Sequence, residues 1–185
     1  EALGSVECVL EEILEFKREI SIMYFKSTDN TDGFFPISEN YHENGILKKT
    51  IAPAVLSMEI ENNLKLQTKK LCENLGLYGI IAIELFELFD GSIVFNEIAP
   101  RPHNSFHWTL NGCDNSQFDI LVRTMCGLPV KDVKPNGKWE MTNLIGQYED
   151  IITETSKDQD YLLYLYGKEQ TKPGRKMGHL NKRIN

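Results

Sequence analysis

The spacing of apolar and polar positions changes several times along the chain, and each change predicts an element. Residues 6–14 form an apolar run that ends in acids, residues 19–25 read Glu-Ile-Ser-Ile-Met-Tyr-Phe, and a polar turn at 29–33 precedes Phe34-Phe35-Pro36-Ile37. Runs rich in β-branched and aromatic residues, bounded by Asn, Asp and Gly, predict successive antiparallel strands. A polar segment holding His42 follows. Over 54–75 the period lengthens: Ile60, Leu64, Leu71 and Leu75 fall on one helical face. Ser57 is the expected N-cap, Glu59 and Glu61 lie in the first turn where the helix dipole favours acids, and Gly76 is the stop.

Two more apolar runs flank Asp90-Gly91, and Asp-Gly between such runs is the strongest short-range hairpin signal. A two-residue turn there sets Phe89 opposite Ser92, Phe86 opposite Phe95 and Glu84 opposite Glu97. Like charges directly opposite, roughly 4.5–5.5 Å apart at Cβ, destabilise a sheet. A hard cation such as magnesium would compensate them, because it takes carboxylate oxygens and sits between one or two carboxylates and substrate phosphates. The other reading is an exposed pair splayed into solvent.

Beyond the hairpin a loop carries Arg101, His103, Asn104 and Ser105, and residues 115–127 read as a second helix closed by Gly127 and Pro129. Short strands are expected at 139–145 and 161–166, with a domain boundary near 130–138. Pro173-Gly174 marks a tight turn, and the flanking Lys172, Arg175 and Lys176 concentrate positive charge that suits a phosphate. The same cluster could be a solvated basic loop, and Glu11, Glu12, Glu15 and Glu19 a solvated acidic edge. Taken together, the paired acids, the polar loop and the basic turn point to phosphorylated substrates. Neither a Walker loop nor a dinucleotide fingerprint is present, so part of any nucleotide site must come from elsewhere. Two alternatives remain: a zinc hydrolase using His103 and His107, which Pro100 and Pro102 disfavour by opposing a helix, and a noncatalytic binding module.

Composition narrows the class. With 41% hydrophobic and 25% charged residues, the 185-residue chain is of the soluble globular type, and it has no apolar run near the roughly 18 residues of a membrane span. A net charge of -7 argues against a nucleic-acid surface. Cys8, Cys72, Cys113 and Cys126 lack any Cys-x-x-Cys pair, so reduced cytoplasmic thiols are expected rather than a zinc ribbon or a disulfide framework. The chain opens on Glu1, as a piece of a longer protein would.

The run Asn96-Glu-Ile-Ala-Pro-Arg-Pro-His-Asn-Ser resembles the 5-(carboxyamino)imidazole ribonucleotide synthetase family, ATP-grasp enzymes of purine biosynthesis. The likeness continues in His107-Trp-Thr, Ser116-Gln-Phe, Gly127-Leu-Pro and Pro173-Gly-Arg-Lys-Met-Gly-His, and begins at Leu10-Glu-Glu and His42-Glu-Asn-Gly-Ile-Leu. It implies an α+β fold: the C-terminal lobe of an ATP-grasp enzyme over 1–130 and a small β-rich domain over 131–185, the N-terminal half being absent. The implied reaction uses ATP and bicarbonate, through carboxyphosphate, to carboxylate aminoimidazole ribonucleotide. By the resemblance, Glu84 and Glu97 hold magnesium. Glu11, Glu12, Ile13 and Leu14 contact adenine, Glu19 holds the ribose, and His42 and Asn96 lie near the nucleotide. Arg101, His103 and Asn104 form the reacting-centre loop, and Lys168 and Arg175 bind the substrate's ribose phosphate. A cytoplasmic homodimer, inactive as this piece alone, is also implied, and another ATP-grasp carboxylase or ligase is the alternative. The sequence departs from the family at Phe106, where glycine is usual, and at Lys172, where arginine is common.

Overall fold

The computed structural model describes residues 4–155 and 157–185. Their strands form one nine-stranded sheet: β1 (Arg18–Lys26), β2 (Asp32–Phe34), β3 (Ser38–Glu43), β4 (Ile46–Ala52), β5 (Gly79–Glu87), β6 (Ile93–Ala99), β7 (Lys138–Ile145), β8 (Tyr161–Leu165) and β9 (Lys176–Ile184). The order is β6-β5-β1-β3-β4-β7-β9-β8, with β2 pairing only to β1, and every pairing is antiparallel. β4 pairs directly with β7, so the sheet runs unbroken from the first part of the chain into the second.

Alternation along β1 divides the core. Ile20 and Ile22 face α1 (Met58–Asn74) together with Ile83 and Leu85, whereas Met23 and Phe25 join Phe106, Trp108, Ile120, Trp139 and Met141 on the opposite face. That second face is covered by a 3-10 turn (Asn104–Phe106), α2 (Thr109–Gly112) and α3 (Gln117–Met125). The remaining helix, α4 (Glu149–Thr155), buries no residue.

Several expectations are corrected. Residues 6–14 form no strand, and Val9, Leu10 and Ile13 are 86%, 98% and 94% exposed. β1 is already paired on both sides, so it offers this run no free edge. The segment around His42 is a hairpin rather than a polar connection, turning at Asn44 (φ 51°) and Gly45 (φ 73°). Asn-Gly was the available signal, since both turn residues need positive φ. In α1 the cap at Ser57 is as expected, its side chain accepting from Ile60 N, but the buried stripe is Leu64, Thr68 and Cys72. Leu71 and Leu75 lie outside it, and the small Thr and Cys side chains let the helix approach the sheet.

The β5–β6 turn is one residue longer than Asp90-Gly91 suggests. Leu88 N donates to Ser92 O at 2.9 Å, and Phe89, Asp90 and Gly91 form the loop, with Gly91 at φ 84°. Asp90 Oδ1 accepts from both Ser92 N and Ser92 Oγ, holding a three-residue turn that ends in a left-handed glycine. Phe86 therefore faces Val94, and Phe95 faces Leu85, contrary to the expected pairing. A bulge next to Glu84 then shifts the register by one, with Asn96 as the extra residue, and Glu84 does face Glu97.

The sheet is strongly curved. β5 and β9 are separated by four strands, which in a flat sheet would put them roughly 24 Å apart. Lys176 at the start of β9 nonetheless interacts electrostatically with Glu84 on β5 and Glu97 on β6. The concave side is filled by the 100–112 segment, where Asn181 on β9 donates to His107 O (3.2 Å) and Asn111 Oδ1 (2.7 Å). Gly112 permits this fit, because a Cβ there would lie 2.4 Å from the Trp108 ring and 2.9 Å from that of Trp139.

Candidate active site

A polar row crosses the concave face. Glu97 faces Glu84, Glu84 faces Ser21, and Ser21 faces Ser38. Asn40 donates to Ser21 Oγ at 2.6 Å, Thr50 donates to Asn40 Oδ1 at 3.0 Å, and Trp108 Nε1 donates to Ser38 Oγ at 2.9 Å. One end of the row is satisfied within the protein; the other ends in two carboxylates.

Burial pushes the Glu84 carboxyl up from its ordinary value, and the charges of Glu97 and Glu19 add to the shift, while His42 and Lys176 oppose it. His42 Nδ1 contacts Glu19 Oε2, so the third acid of this face has its own partner. The Glu84–Glu97 pair suits a hard divalent cation such as magnesium in its donor chemistry, both groups offering carboxylate oxygens.

The loop bearing Arg101, His103 and Asn104 meets these acids at His103, whose Nε2 lies 3.6 Å from Glu84 Oε1. Burial lowers the His103 pKa to about 4, helped by the charges of Arg101 and Lys176. Its Nδ1 is 2.8 Å from Ser105 Oγ and accepts from Ser105 N at 3.4 Å, so the neutral ring carries its proton on Nε2. Both amide atoms of Asn104 are buried without a protein partner, leaving a donor and an acceptor for a small polar ligand. Arg101 is exposed, and among the described residues its Nη1 donates only to Pro102 O. His103 and His107 do not share an α-helix, because His103 is extended at φ -121° and ψ 145° and precedes a 3-10 turn.

Glu11, Glu12, Leu14 and Asn96 line one cleft of about 270 Å³ with Phe16, Phe86 and Phe95. Phe16 stacks on Phe86 at 4.5 Å between centroids, giving the cleft an aromatic wall. Ile13 does not line it and points to solvent. Lys168 donates to Lys176 O at 2.5 Å, and Arg175 lines a neighbouring open cleft with Gly167, Glu169 and Gln170.

Sequence reasoning treated Lys176 only as part of a charged turn. Desolvation lowers its pKa, Glu84 and Glu97 push it back up, and Arg101 and Lys168 lower it again, so it is a half-buried cation between the acids and the basic loop. Its sequence signal was weak: a lysine opening the strand Lys176-Met-Gly-His. Gln117 was also missed; it is fully buried and hydrogen-bonded to the backbone of His103.

The sheet thus carries paired acids on its concave side, is backed by α1 on the other, and faces the loop that bears Arg101 and His103. The ATP-grasp domain profile matches residues 1–118, and the chain belongs to the ATP-grasp family. The profile of the phosphoribosylaminoimidazole carboxylase C-terminal domain matches residues 140–183. Within the family, the chain is 39% identical to N5-carboxyaminoimidazole ribonucleotide synthase of Bacillus subtilis strain 168, covering 94% of this chain and 46% of that protein. The structure of an N5-carboxyaminoimidazole ribonucleotide synthetase complexed with ADP superposes with a TM-score of 0.89 at 36% identity, over 94% of this chain and 46% of the other. The Aspergillus clavatus synthase, in complex with ADP and 5-aminoimidazole ribonucleotide, gives 0.84 at 31% identity, over 91% and 47%. The chain spans about half the length of the curated relatives it matches.

Proposed function

We propose that the chain is the C-terminal part of an enzyme that uses ATP and bicarbonate to convert 5-aminoimidazole ribonucleotide to its N5-carboxy derivative. The observation that carries this reading is the convergence of Glu84, Glu97, His103 and Lys176 from four separate segments onto one concave face. The named relatives and the bound ligands of the Aspergillus structure support it.

In this reading residues 1–130 carry the nucleotide and reacting centre, and residues 131–185 complete the substrate phosphate site. Glu11, Glu12, Leu14 and the wall of Phe16 and Phe86 receive adenine, while Glu19 and His42 face the ribose. Glu84 and Glu97 hold magnesium, which when bound neutralises phosphate charge during transfer. Arg101 and Lys176 offset the negative charge that develops on the carboxylating group. His103, held neutral, donates from Nε2, and the unpartnered Asn104 amide orients bicarbonate or the imidazole amine. Lys168 and Arg175 bind the ribose phosphate, arginine being able to hold two oxygens at once. The enzyme is proposed to act as a cytoplasmic homodimer; among the described residues no helix is long and apolar enough to cross a membrane.

The test is ADP release by the full-length protein with ATP, magnesium and bicarbonate, with and without aminoimidazole ribonucleotide. Release that depends on the imidazole substrate is expected, with no turnover by the 185-residue chain alone. ADP release indifferent to that substrate would overturn the assignment.

A further inference from the structure

Gln117 opens α3 and is 0% exposed, so each of its amide atoms must be matched inside the protein. Its Oε1 accepts from His103 N at 2.8 Å, and its Nε2 donates to His103 O at 2.9 Å. Nε2 also meets His107 Nδ1 at 2.8 Å. The orientation of a glutamine amide is ordinarily ambiguous. Here the backbone removes the ambiguity: a peptide N–H only donates and a carbonyl only accepts, so Nε2 must lie on the His103 O side. The nitrogen that meets His107 Nδ1 is therefore a donor, and Nδ1 must accept. A neutral His107 then carries its proton on Nε2, and an imidazolium would set two donors against each other.

The surroundings agree. His107 packs against Phe118 (5.6 Å between centroids), Tyr166 (6.1 Å) and His179 (5.0 Å). Burial, followed by the charges of His179 and Lys176, lowers its pKa to about 3. Among the described residues nothing accepts from His107 Nε2. The Ser116–Asp119 capping box fixes the start of α3, and with it the Gln117 backbone.

We infer that Gln117 is a positioning residue of the reacting centre: one buried amide clamps the peptide of His103 and locks His107 as a neutral Nε2–H donor. His107 is thereby a hydrogen-bond donor toward the concave site and cannot serve as its acid or base. The positioning role rests on the functional reading above; the protonation pattern does not.

Two measurements separate them. Nitrogen-15 NMR of the histidines in the full-length wild-type protein is expected to show His107 unprotonated at Nδ1 and protonated at Nε2, without titrating between about pH 5 and 8. A His107 protonated at Nδ1, or charged in that range, would overturn the clamp whatever the enzyme's substrate. In the near-isosteric Gln117→Glu, a carboxylate replaces the donor, so His107 Nδ1 should gain a proton and kcat should fall about 100-fold through misplacement of His103, with KM for ATP unchanged. Wild-type kcat in Gln117→Glu would overturn the positioning role. Gln117→Asn, which keeps the amide but is one methylene shorter and cannot span both partners, should lower kcat as well; wild-type kcat there would also count against the positioning role.

Discussion

His103 Nε2 lies 3.6 Å from Glu84 Oε1, joining the loop after β6 to the strand that carries one of the paired acids. A neutral imidazole and a carboxyl of raised pKa meet there, so the contact links two groups whose burial disfavours charge. Its value lies in alignment, because an uncharged donor can be shared with a ligand at little electrostatic cost.

Glu97→Gln separates function from stability. Removing one of two facing like charges should stabilise the metal-free protein by a few tenths of a kcal/mol, while magnesium-dependent nucleotide use by the full-length enzyme is lost. Thermal unfolding without metal and a magnesium titration of turnover check the two halves. Unchanged turnover across that titration would remove Glu97 from the metal site.

Phe106 stands where the resembled family usually has glycine, yet its φ is not positive and its ring is fully buried, 6.1 Å from Phe35. It is a core residue here, so Phe106→Gly should leave a cavity and cost about 3–5 kcal/mol in urea unfolding. A cost below about 1 kcal/mol would show that the loop can collapse.

Glu87, 3% exposed, accepts from Lys17 at 2.8 Å and from Arg18 Nε at 2.6 Å, while Arg18 also reaches Glu39 at 2.8 Å. Burial raises the Glu87 pKa, but the bonds from Lys17 and Arg18 outweigh that and hold it below the ordinary value. Glu87→Ala should cost about 1.5–3 kcal/mol by removing the acceptor of Lys17 and of Arg18 Nε, while Glu39 and Val55 O still hold the other Arg18 nitrogens, measured as a lower urea midpoint.

Stability should depend on pH through His107 and His179, lowered by burial to about 3 and about 4. Unfolding restores both to about 6.5, so the unfolded state binds more protons between those values. Their contribution is complete above about pH 6.5 and is lost as pH falls to about 4 and then about 3, on the order of 2 kcal/mol for each of the two histidines by pH 5. Glu84, with its raised pKa, acts in the opposite sense. Urea midpoints at pH 5 and pH 7 test the net sign, the lower value being expected at pH 5.

The facing of Glu84 and Glu97 was legible in the sequence for a reason that local rules do not contain. The turn is one residue longer than Asp90-Gly91 implied, and the Asn96 bulge restores the register just before the acids. Periodicity located α1 and its cap but not its rotation, because Thr68 and Cys72 pack as core residues without looking apolar. The missed hairpin at Asn44-Gly45 had a clear local signal. Lys176 and Gln117 had little, since their roles arise from contacts between segments distant in sequence. Residues 6–14 have strand-like composition, but strand formation also needs a free edge, which composition does not report.

Curvature of the sheet makes the gap between Glu84 and Lys176 the sum of many small rotations between neighbouring strands. The register shifts at Tyr41/His42 and at Leu144/Ile145 lie along that arc, and bulges increase local twist. The molecule thus behaves as a caliper whose jaws hold the charges and whose setting is distributed over its span. Residues that never touch a ligand can open or narrow the site, so variants in the middle strands belong among those that tune it.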